Sequence, residues 1–101
     1  MPKIFEYLGI IIMFYSNEHE PIHVHGKYQG HESKADFIIK EGVIIDIQIK
    51  KVKGKRPLPI KELKEFKVFV EKFKNEIVQK WVDYFVYHKS ISCIKIEGRV
   101  K

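Results

Sequence analysis

The sequence predicts an α+β fold: an antiparallel sheet of about four strands, followed by two helices packed on one of its faces. Two observations carry this reading. Between Lys3 and Lys50 the apolar residues alternate with polar ones or run in short β-branched stretches, the habit of strands, whereas from Leu58 to Phe85 they recur at steps of three and four. Between the two regimes stand Pro57 and Pro59, which lack a backbone N–H and forbid a helix start before about Leu58. At 101 residues, 45% hydrophobic and 32% charged, the chain has the size and composition for one core, and residues 1–101 are read as a single α+β domain.

Taken in order, residues 3–7 form a short strand, and residues 10–15 a second, β-branched and aromatic enough to be buried on both sides. Ser16, Asn17 and Pro21 carry turn chemistry, so residues 16–21 are read as a loop. In the strand over residues 22–28, alternation sends Ile22 and Val24 to the core and His23 and His25 to the opposite face. Residues 33–39 and 43–50 make a hairpin about Lys40, Glu41 and Gly42, with Val43, Ile45, Ile47 and Ile49 on one face and Asp46, Gln48 and Lys50 on the other. The stripe Leu63, Phe66, Val70 (with Phe69), Phe73, Ile77, Trp81 and Phe85 marks the buried side of the helices. A single helix of that length would overrun so small a sheet, so the stripe is divided at Asn75, an N-cap type, into residues 58–74 and 76–87. Residues 91–97 alternate like a last edge strand.

Compartment and partner class follow from composition. One cysteine, Cys93, allows no internal disulfide, and Glu6 interrupts the first apolar run too early for a secretory signal. The longest apolar run, residues 8–15, falls far short of the roughly 20 residues that span a bilayer. The expected location is therefore the cytoplasm, without membrane contact. A formal net charge of +6 favours polyanionic partners.

The chemically pointed stretch is Asn17-Glu18-His19-Glu20-Pro21-Ile22-His23-Val24-His25, which holds three of the five histidines, with His31 close behind. His19 to His23 formally matches His-Glu-x-x-His, but that zinc motif requires a helix, and Pro21 lies inside it. Three readings remain for His19, His23 and His25. Near neutral pH they can serve as general base and general acid or contact a substrate, as phosphodiester cleavage requires. With Glu18, Glu20 or His31 they can hold a divalent metal ion at an open, exchangeable site. They can also be structural, hydrogen-bonded to carbonyls and carboxylates. His88, alone near a helix end, is read as a surface residue or a favourable dipole contact. A second feature is the basic connector: of residues 50–56, five are cationic, namely Lys50, Lys51, Lys53, Lys55 and Arg56. These side chains either contact nucleic-acid phosphates or form a solvated linker.

Three segments together resemble a family of small bacterial proteins known as domain of unknown function 4160: Met1-Pro2-Lys3-Ile4-Phe5, residues 14–25 with their His-Glu-Pro-x-His-Val-His core, and Trp81-Val82-Asp83-Tyr84-Phe85. The likeness covers about residues 1–85 and rests most on the histidine motif. Ile22 stands where the family usually has a second proline, which loosens the turn without removing a histidine. From Val86 onward the chain runs past the family's usual end. The resemblance implies a compact prokaryotic domain, often encoded beside another small protein in arrangements that look like toxin–antitoxin operons. It implies no established activity.

The expectation is thus a toxin–antitoxin-like component that binds or acts on nucleic acid, RNA foremost, through His19, His23, His25 and the connector, with a small cognate protein as its other partner. A non-enzymatic protein-binding module and a metal-dependent hydrolase on the same histidines are the alternatives.

Overall fold

The computed structural model describes residues 3–15 and 22–100. Among these, six strands form one sheet: β1 (Lys3–Tyr7), β2 (Ile10–Met13), β3 (His23–Tyr28), β4 (His31–Lys40), β5 (Val43–Lys51) and β6 (Ile94–Ile96). Their order across the sheet is β5-β4-β3-β2-β1-β6, antiparallel throughout except for β6, which lies parallel to β1. The α+β class stands, with more strands than the four expected. All six segments read as strands pair into this one sheet, residues 3–7 and the tail included.

Three hairpins turn through two residues each: Leu8-Gly9, Gln29-Gly30 and Glu41-Gly42. Both positions of every turn have positive φ (52° and 78° at Glu41-Gly42), the geometry that matches the twist of antiparallel strands. Such tight turns leave no slack, so each fixes the register of the strands it joins.

The β4–β5 pairing departs from simple alternation. Its register slips between Ile38, which faces Asp46, and Ile39, which faces Ile44, leaving Ile45 as the extra residue of a bulge. Ile44 therefore takes the core side with Ile47 and Ile49, while Val43 and Ile45 are 61% and 58% exposed. This corrects the expected Val43-Ile45-Ile47-Ile49 face: alternation predicts it, and one inserted residue reverses it.

The helices are α1 (Ile60–Lys72) and α2 (Lys74–Phe85). Pro59 occupies the N-cap of α1, so the helix begins at Ile60, two residues later than Leu58, which is buried instead. The break falls at Phe73 (φ −106°, ψ 19°), two residues before Asn75, which is not the N-cap. Phe73 N still donates to Phe69 O, and Ile77 N to Phe73 O. The ladder thus runs on through the break, and the chain bends there instead of folding back. Core packing decides the position, because Phe73 stacks on Phe69 at 4.5 Å and meets Phe5 at 5.6 Å.

One core lies between the helices and the sheet, joining Phe66, Phe69, Val70, Ile77 and Trp81 to Ile4, Phe5, Tyr7, Ile12, Phe14, Val24 and Phe37. Each large apolar side chain buried in this way contributes about 1.5–3 kcal/mol. Gly26 lets α1 approach, since a Cβ there would stand 2.7 Å from ring carbons of the fully buried Phe66. The tail closes the other edge: β6 pairs with β1, Val100 N donates to the Tyr7 hydroxyl at 2.8 Å, and Arg99 reaches Glu65 at 3.3 Å. No helix among the described residues is long and apolar enough to cross a membrane.

Candidate functional site

Helices cover one face of the sheet, and alternation along β3 sends His23 and His25 to the other. Cross-strand partners stand on the same face, so the register builds the site. His25 pairs with Met13 on β2 and with Lys34 on β4, His23 is opposite Asp36, and Lys27 is opposite Glu32. Glu32 is therefore the diagonal neighbour of His25, and Tyr15, two residues beyond Met13, reaches the same spot.

The contacts are close. His25 Nδ1 lies 2.9 Å from Glu32 Oε2, and the Tyr15 hydroxyl donates to that same oxygen at 2.7 Å. The Tyr15 ring meets His25 edge-on at 4.4 Å between centroids, and His23 meets His25 at 5.2 Å. His23, His25 and Glu32 are 7%, 5% and 1% exposed. A buried carboxylate is costly unless donors satisfy it, and two converge on Oε2, while Oε1 has none among the described residues. An ionised carboxylate only accepts, so the proton between them belongs to Nδ1 of His25. In the neutral ring the basic lone pair then lies on Nε2. This arrangement fixes a tautomer and an orientation, the two things acid–base chemistry at an imidazole needs from its surroundings.

Beside it, Asp36 is 3% exposed and holds the ammonium of Lys50, whose Nζ lies 3.1 Å from Oδ2. Lys50, expected in the connector, is instead on β5, engaged with a carboxylate; Lys51 is the last residue of that strand. The connector proper is short and anchored. Lys55 N donates to Val52 O, closing a turn, and Arg56 forms a parallel bridge with His31. Glu32 N donates to Arg56 O at 2.8 Å, His31 Nδ1 lies 3.0 Å from Pro57 O, and Leu58 N donates to Ser33 Oγ at 3.1 Å. Lys51, Lys53, Lys55 and Arg56 are exposed and, among the described residues, enter no ion pair. Glu32 thus does two things: its backbone anchors the connector, and its side chain holds His25.

Of the expected site residues, His23 and His25 come together, and His19 lies outside the described residues, as do Glu18 and Glu20. His31 does not join them, because it pairs with Tyr28 at the turn end of the β3–β4 hairpin and its ring is taken by Pro57 O. His88 is exposed beyond α2. Among the described residues, no three His, Cys, Asp or Glu side chains are grouped to hold a metal ion.

Sequence reasoning missed Tyr15, Glu32 and Asp36. Tyr15 ends an apolar run, and Glu32 precedes the point where alternation becomes clear. A two-residue turn at Gln29-Gly30 was the available signal, for it sets Lys27 against Glu32 and puts the carboxylate diagonal to His25.

A family model described as a domain of unknown function, DUF4160, matches residues 9–82, which include β2 to β5, the connector and most of both helices. No curated protein and no solved structure matches the chain.

Proposed function

The chain belongs to the DUF4160 family, and from that premise we propose that it is a toxin–antitoxin-like component that binds RNA, with the exposed cations of the connector as its phosphate contacts. The observation that carries this reading is the anchoring of the connector on β4. A solvated linker needs no such ties, whereas Arg56, Pro57 and Leu58 are tied to Glu32, His31 and Ser33 through backbone and side chain. Lys51, Lys53, Lys55 and Arg56 are thereby offered as a fixed cationic edge beside the histidine face. Phosphate contacts of this kind position a strand without reading its bases.

Fluorescence anisotropy with a short single-stranded RNA tests it: the variant Lys51→Glu/Lys53→Glu/Lys55→Glu should lose binding while keeping its melting temperature, since exposed loop charges contribute little to stability. Undiminished affinity refutes the assignment of these residues. Expression alone and with the neighbouring gene tests the biological pairing. Growth arrest relieved by the neighbour supports it, and harmless expression with stable co-purification favours a protein-binding module.

A second reading has its own support in the Glu32-oriented imidazole. If the bound RNA is cut, His25 is the general base through Nε2, with His23 and His19 as the remaining acid–base candidates. His25→Gln should then abolish cleavage and leave RNA affinity unchanged.

A further inference from the structure

The sheet ends differently at its two edges. At one edge β6 has only three residues, whereas β5 at the other has nine, none of them buried. Among the described residues, β4 is the only strand beside β5. An edge of that length offers its backbone N–H and C=O groups to a further strand unless a bulge, a proline or a covering segment blunts it. The bulge at Ile45 affects only the start of β5, and from Asp46 to Lys51 the pairing with β4 is regular. Along this stretch Ile47 and Ile49 lie half-buried on the core side, while Asp46, Gln48 and Lys50 alternate with them on the other face.

We infer that β5 is the interface of a homodimer, in which a second copy of the chain pairs its own β5 antiparallel to this one about a two-fold axis at Gln48, joining the two sheets into one. The strand is self-complementary in this register, and that selects the occupant. Asp46 stands opposite Lys50 of the second copy on one face, Ile47 stands opposite Ile49 of the second copy on the other, and the symmetry makes each pair twice. Opposite charges and apolar side chains facing one another are the cross-strand pairs that stabilise a sheet. The neighbouring axes match less well. One at Asp46 or at Lys50 sets like charges face to face, one at Ile47 leaves Asp46 against Gln48, and one at Ile49 sets Ile47 against Lys51. Both charged groups are available. Lys50 holds Asp36 within its own chain, yet 50% of its side chain is exposed, and an ammonium has donors for a second carboxylate. Asp46 is exposed and accepts from Ile47 N of its own strand at 2.9 Å. On pairing, the carbonyl of Ile49 in the second copy takes that amide, and the Asp46 carboxylate turns to Lys50 opposite it. The dimer goes beyond the RNA-binding reading and does not depend on it.

The full chain tests it. Sedimentation velocity should show a dimer that dissociates on dilution, and a monomer at every concentration overturns the inference. Asp46→Lys sets a cation against Lys50 in both symmetric pairs and should raise the dimer Kd about tenfold or more; an unchanged Kd counts equally against it. A cysteine pair reads the register independently of charge, with Cys93→Ser as the background. Because Ile47 and Ile49 exchange the hydrogen bonds, Gln48 meets its own copy at a non-hydrogen-bonded position, about 4.5 Å between Cα atoms, within the reach of a disulfide. Gln48→Cys should therefore cross-link rapidly with diamide as oxidant, and Val43→Cys, exposed but far from its copy in this register, should not. Equal rates for the two variants refute the axis at Gln48 and the inference with it. A monomeric parent that still binds RNA would remove the dimer and leave the proposed function standing.

Discussion

At the scale of single residues, Glu32 and Gly26 matter most, and sequence reasoning gave neither a role. Glu32 is the acceptor shared by Tyr15 and His25 inside the sheet's second face. Glu32→Ala should destabilise the protein by about 1–3 kcal/mol for each donor left buried without a partner, read as a shift in the urea midpoint. A change within about 0.5 kcal/mol, the range of an ordinary surface substitution, would show that the two donors find water. Gly26→Ala should also destabilise, by about 1–3 kcal/mol, because the methyl group must displace a buried ring. Thermal melting checks this, and an unchanged midpoint would mean that α1 can draw back from β3 at little cost.

Elements were more legible than residues, and their failures have physical causes. Alternation correctly placed His23 and His25 opposite Ile22 and Val24, since strand period alone determines which side chains share a face. The same rule failed at Val43 and Ile45, because a bulge adds one residue and reverses every side chain beyond it. Ile45→Ala should therefore change stability by no more than about 0.5 kcal/mol, and Ile47→Ala, on the core side, should cost clearly more; equal losses would contradict the bulge. The helical stripe identified the buried aromatic side chains, but a good N-cap residue such as Asn75 says only where a helix can start. Packing of Phe73, stacked on Phe69 and tilted against Phe5, set the actual break. The tail's edge position was legible too, although no local pattern names a parallel partner 89 residues away in sequence, from Phe5 to Ile94. Removing residues 90–101 should uncover the β1 edge, an unpaired row of N–H and C=O groups of the kind that recruits another strand. Light scattering should show concentration-dependent self-association of the truncated chain beyond that of the parent, whereas association equal to the parent's would mean that the edge is blunted without β6.

For the whole molecule, the plan is a division of labour between the two faces of one sheet. The helix side supplies stability through a core in which Trp81 is 7% exposed and packs on Phe85 at 4.8 Å. Trp81→Ala should cost about 3–5 kcal/mol, and a negligible change in melting would assign that ring to a partner surface. The opposite face and its adjoining connector gather the polar and cationic groups, which is the basis for the RNA-binding proposal. The most direct test of that central claim is the salt dependence of affinity for a single-stranded RNA. Each phosphate neutralised releases counterions and contributes about −0.7 to the log–log slope. The parent should show a steep negative slope, and Lys51→Glu/Lys53→Glu/Lys55→Glu a much shallower one together with weaker binding at every salt concentration. A flat slope in the parent, or parallel lines for parent and variant, would contradict the account.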